Sequence, residues 1–250
     1  MGIDRLDGDD ARLSAAHDRG PDAPSDRELR PPDDPSAAES DRRAEYYAEY
    51  RAKVDAEYRA AAVDRGCDQV RETERSIITP EMRRIEAEDP DRHLVGFERR
   101  LKGKDRLTEK VTMAMDERNR TPEEAFATVK DAIRYTFQYT EERYTAGVYA
   151  DCDRLEAAGF QFVDRNNSWE DEEYKGINSR WRVPENRQLF EVQFHTEASF
   201  AAKQETHLAY ERLRTPTTPD EEVHELRTFQ REVSAKVPIP PGAKDIQNYP

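Results

Sequence analysis

The sequence predicts an α+β fold, a mixed β-sheet flanked by helices, with extra helices on its N-terminal side. Three observations carry this. DAIRYTFQYT and QLFEVQFHT alternate apolar and polar residues with the two-residue period of half-buried strands. Other segments repeat apolar residues at three and four, the period of an amphipathic helix. From Thr121 onward the two kinds interleave in the order α-β-α-β-β-β-α-α, which implies a mixed sheet covered by helices.

Composition narrows the function classes. The chain has 250 residues, 35% hydrophobic and 38% charged, enough for one core of ordinary domain size with chain left over. Its formal net charge of -14 excludes a general DNA or RNA coat, which needs a basic excess, so no DNA partner is expected. A local basic pocket for phosphates stays open. Cys67 and Cys152 lie far apart, with neither disulfide-framework nor zinc spacing, and read as free thiols of a reducing compartment. MGIDRLDGDDARLS places acids where a signal peptide has a basic and then an apolar run, and no apolar stretch reaches the length of a membrane span. A cytoplasmic protein with no membrane contact is expected.

The elements follow in order. Residues 1–40 are rich in Asp, Pro, Ala, Ser and Arg without periodicity, and read as a disordered tail. Residues 41–75 read as a helix with Tyr47, Tyr50, Val54 and Tyr58 on one stripe, expected to pack in the core. Self-association through residues 41–70 is the other use of such a stripe. A main domain is expected over 76–236. In it, Thr79-Pro80 reads as a cap and first helical position, and PEMRRIEAE as the helix that follows. HLVGFERRLKGKDRLTEKVTMAM reads as a loop and then a helix. Thr121-Pro122-Glu123-Glu124 starts a helix that runs to about Lys130. A strand then puts Ile133, Tyr135 and Phe137 on one face, with Asp131 opening it. EERYTAGVYADCDRLEAAG reads as a helix ended by Gly159, and FQFVDR as a strand. YKGINSRWRV and QLFEVQFHT make a hairpin about a PENR turn. EASFAAKQETHLAYERLR and PDEEVHELRTFQREVSAK read as helices. Residues 237–250, VPIPPGAKDIQNYP, are an extended tail. There is no internal repeat.

Candidate chemistry sits on three segments. Alternation puts Glu191, Gln193 and His195 on one strand face and Phe190, Val192 and Phe194 on the other, which is the obvious core face. The polar face then meets a groove or solvent. Carboxylates on neighbouring strands, Asp131 and Glu191, suit magnesium, which takes one or two carboxylates plus substrate phosphates. ERRLKGKDRLTEK concentrates Arg99, Arg100, Lys102, Lys104, Arg106 and Lys110 in an acidic chain, either as a solvated helix face or as a phosphate site. Tyr174 is an edge aromatic or a platform for a base, and Gly176 marks a close approach of backbone or ligand. His17, His93 and His224 have no partner at metal-ligand spacing.

Taken together these blocks resemble the RelA/SpoT-like synthetase family, over roughly residues 76–214, and especially its toxin-like and phage-associated small members. Arg100-Leu101-Lys102, Arg106-Leu107 and Lys110 resemble the R-x-K-x-x-x-S-[IL]-x-x-K stretch. Asp131 resembles the metal-binding Asp, and Tyr174-x-Gly-Ile-Asn178 the Y-x-S-[IL]-H segment. Glu191 to Thr196 resembles E-[IV]-Q-[IL]-R-T, with Lys203 and His207 on the helix that follows. The resemblance implies a nucleotidyltransferase-like fold and an ATP-dependent pyrophosphokinase, transferring pyrophosphate to the 3′-hydroxyl of a nucleotide or an RNA 3′ end such as that of tRNA. It further implies a growth-inhibiting toxin role, with an antitoxin as partner.

The same resemblance implies roles by residue. Asp131 and Glu191 would hold magnesium, and Glu191 would draw the proton from the attacking hydroxyl. Arg100 would stack on adenine, with Lys102, Lys110 and Arg134 also on ATP. Tyr174 would stack on the acceptor base, with Lys175, Asn178, Gln193, His195 and His207 beside the acceptor. Arg106, Asn178 and His195 depart from the family's Ser, His and Arg. Glu170-Asp171-Glu172-Glu173 stands where alarmone synthetases carry Lys, and would repel a guanosine di- or triphosphate tail. That turns the expectation toward an adenine nucleotide or an RNA end. Two other classes stay open: a catalytically inactive nucleotide-binding module, and an interaction protein docking through its Tyr-striped helix.

Overall fold

The computed structural model describes residues 37–249. The tail expected over 1–40 falls mostly outside them, and helix α1 (Ala37–Thr73) begins within it. Two compact units divide the chain between Lys53 and Val54. Of the first, the described residues 37–53 are helical, and the side chains from Glu39 onward are exposed. The second holds the sheet.

The aromatic stripe of α1 is not core, contrary to expectation. Tyr47, Tyr50, Val54 and Tyr58 are 51%, 58%, 44% and 66% exposed. The helix meets the core only from Ala62, through Val63, Cys67 and Val70. Periodicity says which residues share a face, and nothing about what covers it.

A π turn, Glu74–Ile78, leads without a break into α2 (Thr79–Ala87). Thr79 therefore does not cap: Ile78 before it is already helical, and the Thr79 hydroxyl donates to the Glu74 carboxylate instead. Then come β1 (His93–Leu94), a 3-10 turn (Phe97–Arg99) and α3 (Lys104–Arg118). The capping box of Thr121 and Glu124 opens α4 (Pro122–Phe126), which stops short of Lys130. Next are β2 (Arg134–Tyr139), α5 (Tyr144–Ala157), β3 (Gln161–Asn167), β4 (Ile177–Arg182) and β5 (Leu189–Thr196). The single helix expected over EASFAAKQETHLAYERLR is two, α6 (Glu197–Glu205) and α7 (His207–Leu213), separated at Thr206. Helix α8 (Asp220–Ser234) follows.

The sheet is mixed, in the order β1-β2-β5-β4-β3. β2 and β5 are parallel, and every other pairing is antiparallel, including the expected β4–β5 hairpin. One face is apolar. Tyr135, Phe137, Ile177, Trp181, Phe190, Val192 and Phe194 are each at most 2% exposed. α5 packs there: the Tyr144 hydroxyl donates to the Phe194 carbonyl at 2.9 Å, and its ring meets Trp169 edge-on at 5.0 Å. Burying such side chains stabilises by about 1.5–3 kcal/mol each. Beneath them Arg92 and Asp151 form a buried ion pair at 2.5 Å.

The C-terminal residues fold onto the same unit. Val237, Ala243 and Ile246 are buried, and Asn167 donates to the carbonyls of Ala243 and Ile246 at 2.8 Å. A bridge between Arg165 and Tyr249 covers the free edge of β3, which would otherwise expose unpaired backbone groups.

Candidate functional site

Strand register builds the site on the opposite face. Arg134 pairs with Glu191, and Thr136 with Gln193, across β2 and β5. Asn178 pairs with Gln193, and Arg180 with Glu191, across β4 and β5. Paired residues share a face, so this one is polar across three strands.

Asp131 lies in the turn ahead of β2 and does not open the strand. The Arg100–Lys102 run is seated beside it by backbone bonds, Lys102 N–H to the Ala132 carbonyl at 2.9 Å and Arg134 N–H to the Arg100 carbonyl at 2.7 Å. Three cations converge on the Asp131 carboxylate: Lys110 at 2.6 Å, Lys102 at 3.2 Å and Arg134 at 3.5 Å. Burial works to raise its pKa. The Lys110 hydrogen bond and the charges of Lys102, Lys110 and Arg134 outweigh burial and hold it at about 2. Asp131 is therefore ionised at any physiological pH.

Arg134 also donates from Nε to Glu191 at 3.0 Å, so one guanidinium bridges both carboxylates. Burial opposes its charge, and the two carboxylates more than restore it. Gln193 donates its amide to Glu191 and accepts from the Lys203 ammonium, which reaches over from α6. Lys203 is pushed down to about 8 by burial and by Arg134 and Arg99, against the pull of Glu191.

Tyr174 stands at the far side. Its hydroxyl donates to Asn178 Oδ1 at 3.0 Å and lies 2.9 Å from His195 Nε2. On its other side, His195 Nδ1 lies 2.9 Å from the Ser199 hydroxyl. Burial and the Lys203 charge press the His195 pKa well below its ordinary value, so the ring is neutral. His195 is fully buried, with its two ring nitrogens engaged by Tyr174 and Ser199. Gly176 serves the same packing. At φ +151° it has a backbone that glycine favours, and a Cβ there would stand 2.7 Å from His195 Cε1. The close approach foreseen at Gly176 is by the protein's own His195.

Asp131, Glu191, Lys102, Lys110, Arg134 and Gln193 are thus joined in one polar network, and Tyr174, Asn178 and His195 form a second beside it, the two adjoining where Asn178 pairs with Gln193. Three expected residues stand apart. Arg100 is held by Glu74 at 2.6 Å and lies over the Phe97 ring at 4.1 Å, a ring that Arg83 also covers at 3.8 Å. Lys175 turns to the carbonyls of Trp169 and Asp171 and ties down its own loop. His207 is exposed at the start of α7. Arg180, not singled out from the sequence, lies beside Glu191 and is paired with Asp164. The alternation of INSRWR, which puts it on the side of Asn178, was the available signal.

Two of the four residues of the acidic segment are paired. Glu173 pairs with Arg227 at 3.0 Å and Arg231 at 3.4 Å, and Glu172 with Arg231 at 3.2 Å. These arginines of α8 offset half of the four acids, which weakens the argument against a guanosine polyphosphate tail.

Among the described residues no group of three or more His, Cys, Asp or Glu gathers for a metal. The two carboxylates, already bridged by a cation, fit an ion that completes its shell from water and phosphate oxygens, as magnesium does. They do not fit zinc. No described helix is long and apolar enough to cross a membrane.

No protein-family model matches the chain, and no curated protein matches it. Among solved structures it is similar to small alarmone synthetase 2 from Bacillus subtilis, with 13% identity, coverage of 69% of this chain and 91% of that one, and a TM-score of 0.47. A GTP pyrophosphokinase family protein from Streptococcus pneumoniae gives 17% identity, coverage of 72% and 88%, and a TM-score of 0.40. Small alarmone synthetase 1 from Bacillus subtilis, bound to its product pppGpp, gives 14% identity, coverage of 58% and 71%, and a TM-score of 0.38.

Proposed function

We propose that the chain is a nucleotide pyrophosphokinase, moving pyrophosphate from ATP to the 3′-hydroxyl of a nucleotide or of an RNA 3′ end. The observation that carries the reading is the convergence of Lys102, Lys110, Arg134 and Lys203 on the surroundings of Asp131 and Glu191, in a chain of net charge -14. A cationic excess at one polar sheet face of an acidic protein suits a polyanionic ligand. The motif blocks that resemble RelA/SpoT-like synthetases give the ligand its identity.

On this reading Lys102 and Lys110 bind the ATP phosphates, and Arg134 moves from the carboxylates to a phosphate oxygen. Arg100 stacks on adenine with the guanidinium face turned from Phe97. Tyr174 is the platform for the acceptor base. Glu191 accepts the proton of the 3′-hydroxyl as its oxygen bonds to the β-phosphorus. The bond from that phosphorus to the oxygen of the α-phosphate breaks, and AMP leaves. Asp131 and Glu191 would hold magnesium, which would supply charge neutralisation at the phosphates. Catalysis of this kind is positioning and electrostatics, and needs no nucleophilic side chain. A growth-inhibiting role and an antitoxin partner rest on the sequence resemblance alone.

A second reading, a nucleotide-binding module without catalysis, draws support from Arg134, which bridges both carboxylates. Purified chain with magnesium and γ-labelled ATP, offered GDP, GTP, ADP, ATP and bulk tRNA separately, decides between them. Label on one acceptor, abolished in Glu191→Gln, supports transfer and names the acceptor. Binding of ATP with no labelled acceptor supports the module.

A further inference from the structure

Lys203 differs from the other cations of the polar face in its partners. Lys102 and Lys110 have Asp131, Arg134 has Asp131 and Glu191, and Arg180 has Asp164. Lys203 makes no ion pair among the described residues. Its ammonium donates to the neutral Gln193 amide oxygen and lies 5.4 Å from the centre of the Phe200 ring. Arg134 and Arg99 press on it with like charge, and Glu191 is the carboxylate that draws it. A half-buried ammonium with a neutral partner and two guanidinium neighbours costs stability. A methionine would pack along α6 as well without that cost. Gln193 also lies two residues along β5 from Glu191, and pairs across with Asn178, the partner of Tyr174. The ammonium therefore sits on the Tyr174 side of Glu191, opposite the Asp131 end.

We infer that Lys203 is an anion-binding residue of this site, its ammonium taking a phosphate oxygen of the nucleotide that Tyr174 receives. The identity of that nucleotide rests on the pyrophosphokinase reading, whereas the presence of an anion does not. The missing carboxylate is supplied by the ligand, and Gln193 aims the ammonium in its absence.

Calorimetric titration with inorganic pyrophosphate, on the full chain, tests this with Lys203→Met and Lys203→Arg. Pyrophosphate binding is expected to weaken tenfold or more in Lys203→Met and to be largely kept in Lys203→Arg, with both variants unfolding thermally at or above the parent. In the transfer assay the acceptor KM rises in Lys203→Met while the ATP KM stays near the parent's. Pyrophosphate affinity within twofold of the parent in folded Lys203→Met overturns the inference, as does a parent that binds no pyrophosphate. Should Lys203→Met fail to fold, Lys203→Gln gives the same readout. A parent that binds pyrophosphate through Lys203 yet labels no acceptor overturns the pyrophosphokinase reading and leaves this inference standing.

Discussion

At the scale of single residues, the site is a balance of charges whose signs can be tested by pH. Asp131 is held at about 2, below its ordinary 3.8, so its contribution to stability is present above about pH 4 and is lost as pH falls toward 2. The shift corresponds to about 2 kcal/mol. Asp131→Asn, which leaves Lys102, Lys110 and Arg134 without their shared anion, is expected to lower urea stability by that order at pH 7. The gap should narrow between pH 4 and pH 2. Lys203 has the opposite sign. With its pKa lowered to about 8 from 10.5, the unfolded chain binds the proton more tightly, and stability rises as pH climbs from 8 to 10.5. Lys203→Met is expected to be more stable than the parent at pH 7, by up to about 3 kcal/mol, with the advantage fading by pH 10.5. Denaturant curves at the two pH values check both; a Lys203→Met that is less stable at pH 7 contradicts the burial cost assigned to the ammonium.

Elements carry the positioning. The loop from Ser168 to Gly176 presents Tyr174, and it is fixed at three points: His195 below the ring, Lys175 across its own carbonyls, and α8 through Arg227 and Arg231. Gly176→Ala forces a side chain into His195 in an unfavourable backbone region, and is expected to cost about 1–3 kcal/mol and to weaken acceptor use. Thermal unfolding together with acceptor KM would expose an error here: an unperturbed variant means the loop adapts. The α8 pairs are half-exposed and worth at most about 1 kcal/mol each. Arg227→Ala with Arg231→Ala should therefore leave stability nearly intact and raise the acceptor KM, more so at low salt, where the freed acids of the loop repel phosphate unscreened. An unchanged KM would separate the acidic segment from the acceptor. These elements were unevenly legible in the sequence. Strict alternation made β2, β4 and β5 readable, and the Thr-Pro-Glu-Glu cap made the start of α4 readable. The interruption at Thr206 and the continuous π turn before Thr79 have no local breaker residue to announce them. The sequence could not tell an exposed tyrosine stripe from a buried one, because exposure depends on what packs against α1.

For the molecule as a whole, an acidic chain folds so that a mixed sheet turns one face to the core and the other to a cationic site. Glu191 was legible from strand alternation, Asp131 only as a residue near a strand start, and Lys102 and Lys110 from the basic run that ends at Lys110. What escaped was tertiary: the burial of His195 between Tyr174 and Ser199, Arg100 engaged by Glu74, and the arginines of α8 that offset half of an acidic segment. On the pyrophosphokinase reading these groups move pyrophosphate as one unit. The direct measurement is product stoichiometry: ATP labelled in its adenine and, separately, in its γ-phosphate, incubated with the chain, magnesium and the acceptor that takes label. AMP and labelled acceptor are expected to appear one for one, with no ADP, and both to vanish in Glu191→Gln. ADP as the nucleotide product, or AMP without labelled acceptor, would contradict it.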